Sequence, residues 1–249
     1  MSESLDLQLP WRDLATTLDE AINPRPVAPG FVTRGLQVAN PISLPPWFID
    51  RCRQAYLRIP SSEKTGARLI GVTSALHGEG KSSIAIGIAT AIAVDTREAT
   101  VLLECDLERP SFHRFFGFPA QPGLAEWLDG IAPLRVARAA MLGNQFVIPA
   151  GGPPADPARL FYRLSDSGLM DELRPRFQNI VVDLPPMLDI AYSSLASRLT
   201  DHIILVAKYG VTPVDDLEKV VFLLGHERLS GIVLNGTEYK TPNWIRRLF

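Results

Sequence analysis

The sequence predicts an α/β fold with a doubly wound, mostly parallel β-sheet. Apolar, strand-like runs alternate with helical patterns over about 170 residues, which is typical of successive βαβ units. One strand, within residues 68–94, runs into a glycine-bearing loop and then into a long helix. Two later strands end directly in carboxylates. Because the carboxyl ends of parallel strands lie at one edge of a sheet, these features are expected to meet there.

The segment 68–94, RLIGVTSALHGEGKSSIAIGIATAIAV, has the pattern of a phosphate-binding loop. Ala75, four further residues, and then Gly80, Lys81 and Ser82 follow the P-loop spacing, with Ala at the first glycine position. Alanine fits there if that residue needs no positive φ. The alternative is a glycine loop that only links a strand to a helix, and the apolar strand before it and the long helix after it disfavour this.

Each residue type in this loop has a physical role toward a polyphosphate. Gly78 and Gly80 allow backbone angles and close approach that a side chain would prevent. The helix that begins near Ser82 directs its partially positive end at the same anion. Lys81 is predicted to bridge the outer phosphates, and the Ser82 hydroxyl is predicted to hold Mg²⁺.

Composition limits the classes that need to be considered. With 249 residues and 46% hydrophobic content, the chain can build one α/β domain with a sizeable core. A net charge of -2 argues against general nucleic-acid binding. The two cysteines, Cys52 and Cys105, form neither a disulfide framework nor a metal-binding pattern. Since the opening segment lacks the apolar core of a signal peptide, we expect a soluble cytoplasmic protein.

Residues 1–60 differ from the rest of the chain, because they hold eight of the 21 prolines. This favours an extended, proline-rich extension carrying short helices. One helix is predicted over 11–22 and a second over about 46–59; whether the first docks on its own domain or on a partner stays open. The predicted division is therefore this extension, a P-loop domain at 61–238, and a tail at 239–249. The apolar stripe of the first helix consists of Trp11, Leu14, Leu18 and Ile22.

The two strands that end in acids complete the predicted site. The first, Thr100–Leu103, ends in Glu104, Cys105 and Asp106, and the second, Asn179–Val182, ends in Asp183. A buried strand that delivers an aspartate into a loop is the Walker B arrangement, in which the carboxylate binds Mg²⁺ or orders its water. The P-loop in the same chain strengthens the interpretation of this strand as a Walker B strand.

The remaining elements continue the alternation. Helices are predicted at 124–128, 158–164 and 169–177, and from Thr212 to Leu224; strands are predicted at 146–148, 202–207 and 231–235. Asn235, at the end of the last strand, could contact the nucleotide base or form a turn. The predicted nucleotide-binding residues are Gly78, Glu79, Gly80, Lys81, Ser82, Ser83 and Asn235.

From Gly71 to Asn235 the chain resembles the bacterial tyrosine kinases of the CpsD/CapB type and the cytoplasmic domain of Wzc, which serve capsule and exopolysaccharide synthesis. This resemblance implies a P-loop NTPase fold of the MinD/ParA-like superfamily, with ATP and Mg²⁺ as cofactors. It also implies a membrane-anchored polysaccharide co-polymerase or chain-length regulator as partner. The matching segments, in order, are VTSALHGEGKSS (72–83), VLLECDLERPSFHRFF (101–116), PAGGPPADPARL (149–160), IVVDLPPML (180–188) and GIVLN (231–235).

Transferred by this resemblance, Lys81 is the Walker A lysine and Asp183 the Walker B acid. Asp106 matches the second acid of the family's additional Asp-x-Asp motif, and Glu104 stands in place of the first. The catalytic residues implied are Lys81, Glu104, Asp106 and Asp183, and the metal ligands implied are Ser82, Asp106 and Asp183.

The chain departs from the family pattern in several places. Glu104 keeps the charge of an aspartate but moves it by one methylene, and about 1 Å of misplacement can cost on the order of a hundredfold in rate. Leu184 stands where the family commonly has Thr, and Tyr192 where it has Asp. In place of a tyrosine cluster, the tail has only Tyr239, the candidate phosphoacceptor. These departures weaken the case for tyrosine autophosphorylation.

Two segments bear on assembly. Asp50 and Arg53 reproduce part of the family's oligomerisation pattern, which leaves a homo-oligomer possible. Residues 243–249, NWIRRLF, mix aromatic, aliphatic and basic side chains. This segment could contact an acidic membrane surface or a partner groove, or dock on its own domain.

Three functions are compatible with the sequence. The first is an ATP-hydrolysing regulator of polysaccharide chain length or export that lies at the inner face of the membrane through its partner, with tyrosine autophosphorylation as an added activity that stays open. The second is a catalytically decayed nucleotide switch or scaffold of the same fold. The third, a MinD/ParA-type positioning ATPase, is disfavoured because such proteins carry a second lysine where this chain has Leu76.

Overall fold

In the computed structural model, the residues described are 11–15, 44–59, 66–139 and 144–237. Across those ranges, the strands join in one sheet. They are β1 (Trp11–Ala15), β2 (Arg68–Ser74), β3 (Thr100–Glu104), β4 (Val136–Ala139), β5 (Gln145–Ile148), β6 (Asn179–Asp183), β7 (His202–Lys208) and β8 (Leu229–Asn235). Their spatial order is β1-β4-β5-β3-β6-β2-β7-β8.

The helices alternate with these strands along the chain. They are α1 (Pro46–Tyr56), α2 (Lys81–Thr96), α3 (Phe112–Phe116), α4 (Leu124–Leu128), α5 (Pro157–Asp166), α6 (Leu169–Leu173), α7 (Ser193–Ser197) and α8 (Val214–Leu224). None of these described helices is long and apolar enough to cross a bilayer.

The sheet is parallel from β5 to β8, which confirms the predicted fold class. Strand β2 lies between β6 and β7, and β3 lies on the other side of β6. The register places Glu104 of β3 beside Asp183 of β6, and Val72 of β2 beside the same Asp183. Because these strands run in the same direction, the P-loop and both acidic strand ends lie at one edge of the sheet.

The sequence missed the two strands at the other edge of the sheet. β4 pairs antiparallel with β5, and β1 pairs antiparallel with β4. The helix predicted from Trp11 is therefore wrong for residues 11–15, which form a strand; the rest of that prediction lies outside the described residues. Helical spacing of apolar residues over one turn did not outweigh the hydrogen bonds offered by a sheet edge more than a hundred residues away.

Helix α2 carries apolar residues on all its faces, since the sheet covers it on one side and α1 covers it on the other. Its residues from Ile84 to Ala93 are buried between the sheet and α1. A side chain at Gly87 would collide with Cys52 and Phe48 of α1, so glycine permits the close approach of the two helices. The second helix predicted in the N-terminal extension is thus confirmed, and it packs directly on the helix of the P-loop.

A polar clamp fastens α1 to the end of α2. The guanidinium of Arg53 donates to both carboxylate oxygens of Asp95, at 2.6 and 2.8 Å, and Tyr56 donates its hydroxyl proton to the same carboxylate at 2.7 Å. These bonds, with the guanidinium first, hold the pKa of Asp95 below its usual range. Arg53, part of the predicted oligomerisation pattern, is here engaged within its own chain.

We expect Arg53→Ala to lower the free energy of unfolding by about 1 kcal/mol, because a two-pronged, charge-assisted pair is lost from a partly exposed surface. Urea denaturation of the purified protein measures this. Arg58→Ala, which removes an exposed arginine just after the same helix, is the matched control. Equal midpoints for the two variants would show that the clamp does not hold α1.

Candidate functional site

The loop between β2 and α2 has the backbone shape that a phosphate-binding loop requires. Gly78 and Gly80 adopt left-handed angles, with φ of 80° and 95°, and a side chain at Gly80 would collide with that of Asn235. The only described non-glycine residue with positive φ is Arg97, so Ala75 fits the first position of the loop without strain, as predicted. Glycine is therefore needed at Gly80 and not at the first position.

The amino end of α2 offers N–H groups to the space in front of the loop. The first hydrogen bond of the helical ladder joins the Ile84 N–H to the Gly80 carbonyl, at 3.0 Å. The N–H groups of Lys81, Ser82 and Ser83 precede that bond, and the helix dipole adds partial positive charge at the same point. This end of the helix is suited to an anion.

Side chains from elsewhere in the fold hold the loop in place. The Glu79 carboxylate accepts from the Leu76 N–H at 2.9 Å and from the Thr212 hydroxyl. The Asn235 side-chain amide donates to the Glu79 carbonyl at 2.9 Å, and the Asp189 carboxylate accepts from the His77 N–H at 2.7 Å. These contacts fix the loop from the segments after β6 and β7 and from the end of β8.

Two of these bracing residues were missed by sequence reasoning. The sequence pattern assigns Thr212 only to a helix start and gives no role to Asp189, although Asp189 is the one carboxylate in the loop from Leu184 to Tyr192. Asn235 touches the P-loop backbone and also accepts from the Gly236 N–H at 2.9 Å. It is thus a turn residue and a loop brace, and the predicted contact with a base stays a prediction.

A buried cluster of one lysine and two aspartates lies at the centre of the site. Lys81 Nζ is 2.6 Å from Asp106 Oδ2 and 3.7 Å from Asp183 Oδ1. The three residues are 7%, 2% and 0% exposed, respectively. Burial by itself would lower the pKa of Lys81, but the charges of Asp183 and Asp106 outweigh it and raise that pKa. The ammonium is therefore firmly charged.

Asp183 is the least satisfied member of this cluster. Neither of its carboxylate oxygens has a hydrogen-bond partner among the described residues. Burial raises the pKa of Asp183 to about 6, against the opposing charge of Lys81. A buried carboxylate with free lone pairs is costly unless a cation or donor meets it.

The residues present fit the Mg²⁺ that the fold family implies. The described residues contain no cluster of three or more His, Cys, Asp or Glu side chains able to hold a metal by themselves. Mg²⁺ bound with a nucleotide needs fewer protein ligands, since it is usually held by one or two carboxylates plus phosphates and waters. The free oxygens of Asp183, with Asp106 and the half-buried Ser82 beside Lys81, provide that donor set.

Glu104 behaves differently from the two aspartates. Its Oε1 accepts from the N–H groups of Ser111 and Phe112, at 2.5 and 2.8 Å, and its Oε2 accepts from the Ala150 N–H at 3.0 Å. Burial raises its pKa to about 7, against these hydrogen bonds. Its lone pairs are thus directed at two loops, the one after β3 and the one after β5.

We expect Glu104→Ala to destabilise the protein by about 3 kcal/mol, because three N–H groups in buried or half-buried surroundings lose their acceptor. Glu104→Gln keeps one acceptor oxygen and is expected to cost about half as much. Thermal and urea unfolding measure both. If Glu104→Ala unfolds at the same denaturant concentration as the unmodified chain, the bracing role is wrong.

Of the predicted catalytic and metal-binding residues that it describes, the structure brings all but Glu104 into one cluster; the Glu104 carboxylate accepts hydrogen bonds from the loops after β3 and β5. Lys81, Asp106 and Asp183 are in direct contact or nearly so, and Ser82 lies beside Lys81. Tyr239 lies outside the described residues. The remaining predicted residues lie in the loop before Lys81, at the start of α2, and at the end of β8, where Asn235 contacts that loop; they are Gly78, Glu79, Gly80, Ser83 and Asn235.

Comparison with known proteins gives one consistent relationship. The chain is 28% identical over 179 residues to the tyrosine-protein kinase ptk of Acinetobacter johnsonii, covering 71% of this chain and 24% of that protein. It is 24% identical over 204 residues to the tyrosine-protein kinase wzc of Salmonella typhi, covering 80% of this chain and 28% of that protein. No family model matches the chain. The chain therefore spans about a quarter of the length of the curated relatives it matches.

Solved structures agree with these relatives. The kinase domain of VpsO is 28% identical, with a TM-score of 0.68 over 77% of this chain and 95% of that one. The chain is similar in sequence and in fold to the bacterial tyrosine kinases. The kinase domain of Escherichia coli ETK, 23% identical, has the same fold with a TM-score of 0.69 over 78% of this chain and 77% of that one.

The similarity in fold extends beyond these kinases. The septum site-determining protein MinD of Pyrococcus horikoshii, solved with Mg-ADP, matches with a TM-score of 0.55 over 74% of this chain and 77% of its own, at 20% identity. The α/β fold with a mostly parallel sheet, expected from the sequence, is thereby confirmed.

Proposed function

We propose that this protein binds ATP with Mg²⁺ and hydrolyses it, and that it thereby regulates capsule or exopolysaccharide synthesis, chain length or export. The single observation that carries the proposal is the buried Lys81–Asp106–Asp183 cluster at the amino end of α2. In P-loop proteins a lysine at the helix N-terminus binds the outer phosphates, and an aspartate from a neighbouring strand holds Mg²⁺. Relatives named as tyrosine kinases support this reading of the cluster.

Each residue of the proposed site has a separate task. The N–H groups from Gly78 to Ser83 bind the phosphates, and Lys81 exchanges its bond to Asp106 for the outer phosphates. Ser82, Asp106 and Asp183 would hold Mg²⁺, which would neutralise charge on the transferred phosphoryl group. Asp183, with a pKa raised to about 6, accepts a water proton more readily than an ordinary aspartate near neutral pH.

We propose that residues 61–238 form the nucleotide-binding unit, with residues 1–60 as an extension and 239–249 as a tail. The membrane-anchored polysaccharide co-polymerase or chain-length regulator is the proposed partner, and a homo-oligomer is a further possibility. In this assembly the protein would lie at the inner face of the membrane. The kinase ETK and the chimera CapA2B2, to which the fold is similar, support the choice of family for these proposals.

A non-phosphorylating switch or scaffold is the second candidate, and Glu104 favours it. The resemblance assigns this position to the first acid of the Asp-x-Asp motif, yet here its oxygens accept from backbone N–H groups of Ser111, Phe112 and Ala150. A carboxylate engaged in this way is poorly free to activate a tyrosine hydroxyl. Tyrosine autophosphorylation, with Tyr239 as acceptor, is therefore the weaker part of the proposal.

A MinD/ParA-type positioning ATPase has less support. The similarity to MinD is one of fold, and Leu76 occupies the loop position at which such proteins carry their second lysine. A leucine side chain is uncharged, so it cannot form the ion pair that a lysine would form with a nucleotide across a dimer interface.

Incubation of the purified protein with ATP labelled in its γ-phosphate, with Mg²⁺, separates these functions. We expect release of free phosphate that Lys81→Ala abolishes. Label on the protein that Tyr239→Phe removes would establish autophosphorylation. Nucleotide binding with neither product would establish the switch, and no binding at all would overturn the proposal.

A further inference from the structure

The last strand of the sheet leaves apolar side chains uncovered. Among the described residues, β8 pairs with β7 on one side and forms the edge of the sheet. Ile232 and Leu234 are 50% and 51% exposed, although Leu205 and Ala207, their register partners on β7, are buried. We call the surface formed by Ile232 and Leu234 the β8 ledge.

Helix α8 covers β7 on this face and leaves the ledge bare. Val220 and Leu224 of α8 pack in one cluster with Leu205 of β7. Directly opposed residues of parallel strands lie on one face of a sheet, so the ledge continues this apolar surface beyond the helix. Two adjacent half-exposed aliphatic side chains on a sheet face are the kind of surface that a further element normally covers.

The tail that comes after β8 carries a matching apolar stripe. In residues 243–249 the apolar side chains recur at positions one and four apart, with two arginines between them. At helical spacing such positions share one face, and the arginines point away. A helix of this length is not stable by itself in water, so it needs a surface to pack on. The apolar residues are Trp244, Ile245, Leu248 and Phe249.

The length of chain between the two is sufficient. β8 ends at Asn235, and Asn243 begins the stripe segment eight residues later. Eight extended residues span about 26 Å and the seven residues of β8 about 23 Å. The segment can therefore reach any point along the strand. Gly236, with φ of 74°, turns the chain immediately after the strand.

We propose that residues 243–249 pack against the β8 ledge of their own chain, with the four apolar side chains facing Ile232 and Leu234. A segment tethered by so short a linker has an effective concentration in the millimolar range, which favours it over a second copy of the chain at ordinary protein concentrations. The arginines remain in solvent. The inference is independent of the proposed nucleotide chemistry.

Thiol accessibility in the 249-residue chain tests this docking. Ile232→Cys places a thiol on the ledge, and its rate of labelling by a maleimide is followed by mass spectrometry. The rate is compared between the unmodified tail, a tail with Trp244→Ser, Ile245→Ser, Leu248→Ser and Phe249→Ser, and a tail with Arg246→Ser and Arg247→Ser. Ile131→Cys, at a 75% exposed position before β4, is the matched control. The native Cys52 and Cys105 are buried and report whether each variant is folded.

We expect labelling at position 232 to be about tenfold faster with the apolar residues removed. The arginine substitutions leave the rate slow, and the rate at position 131 does not change in any tail. Equal rates in all three tails would overturn the proposal. Protection that disappears on dilution would assign the ledge to a second copy, and protection that appears only with anionic vesicles would assign the tail to a membrane; either result also overturns it.

Discussion

Lys81→Ala is expected to remove nucleotide binding and to destabilise the fold at the same time. The ammonium is the only cation within ion-pair distance of Asp106 and Asp183 among the described contacts, and both carboxylates are buried. Removing one partner from a buried charge cluster typically costs 3–5 kcal/mol, and we expect a loss of about 3 kcal/mol here. Affinity for Mg-ADP is expected to fall by at least about a hundredfold, because Lys81 is the strongest predicted phosphate ligand.

Urea denaturation and isothermal titration with Mg-ADP measure the two effects of Lys81→Ala. Lys219→Ala is the matched control, since Lys219 pairs with Asp216 at 2.7 Å on the exposed face of α8; it should change neither quantity. The double variant Lys81→Ala with Asp183→Asn should regain stability without regaining affinity. If Lys81→Ala is as stable as the unmodified chain, the two carboxylates do not depend on the ammonium.

Asp183→Asn is expected to separate stability from binding. The pKa of Asp183 is raised from 3.8 to about 6 by burial, so the native state prefers the protonated acid. Above pH 6 the ionised carboxylate therefore costs native stability, whereas below about pH 4 it is protonated in both states and costs nothing. At pH 7.5 we expect Asp183→Asn to be about 2 kcal/mol more stable than the unmodified chain.

The same substitution is expected to weaken Mg-ADP binding by about a hundredfold, because an amide is a poorer magnesium ligand than a carboxylate. Chemical denaturation at pH 4, 6 and 7.5 and titration with Mg-ADP give both numbers. Asp171→Asn, at an exposed position of α6, is the control. A loss of stability at pH 7.5, or a gain that persists undiminished at pH 4, would contradict the account of Asp183 as an unsatisfied buried charge.

Both substitutions fall on residues that the sequence could identify, for a simple reason. The P-loop spacing and the acids at strand ends are local patterns, and parallel sheet geometry alone brings the carboxyl ends of such strands together. The conformation of Ala75 and the presence of α1 also agree with the sequence reasoning. In each case the evidence lies within a few residues along the chain.

Other parts of the site depended on contacts between distant segments. In the sequence, Glu104 occupies the place of the first acid of the Asp-x-Asp motif and carries the same charge. In the structure, its carboxylate accepts hydrogen bonds from the N–H groups of Ser111, Phe112 and Ala150. Asp189 reaches the P-loop across 112 positions of sequence, and Thr212 reaches Glu79 across 133. Local periodicity and residue spacing do not predict which side-chain acceptor a backbone N–H group far away in the sequence will bind.

The amino-acid sequence by itself determined the alternating α/β architecture, the glycine-bearing loop between β2 and α2, and the two aspartates that accompany its lysine, because these depend on short-range periodicity and on residue type. Only the tertiary structure decided that Trp11–Ala15 is a strand and that Glu104 supports two loops. It also left Asp183 buried with no hydrogen-bond partner among the described residues. The physical reason is that buried polar groups take whichever partners the packed chain brings near them, and those partners lie far away in sequence.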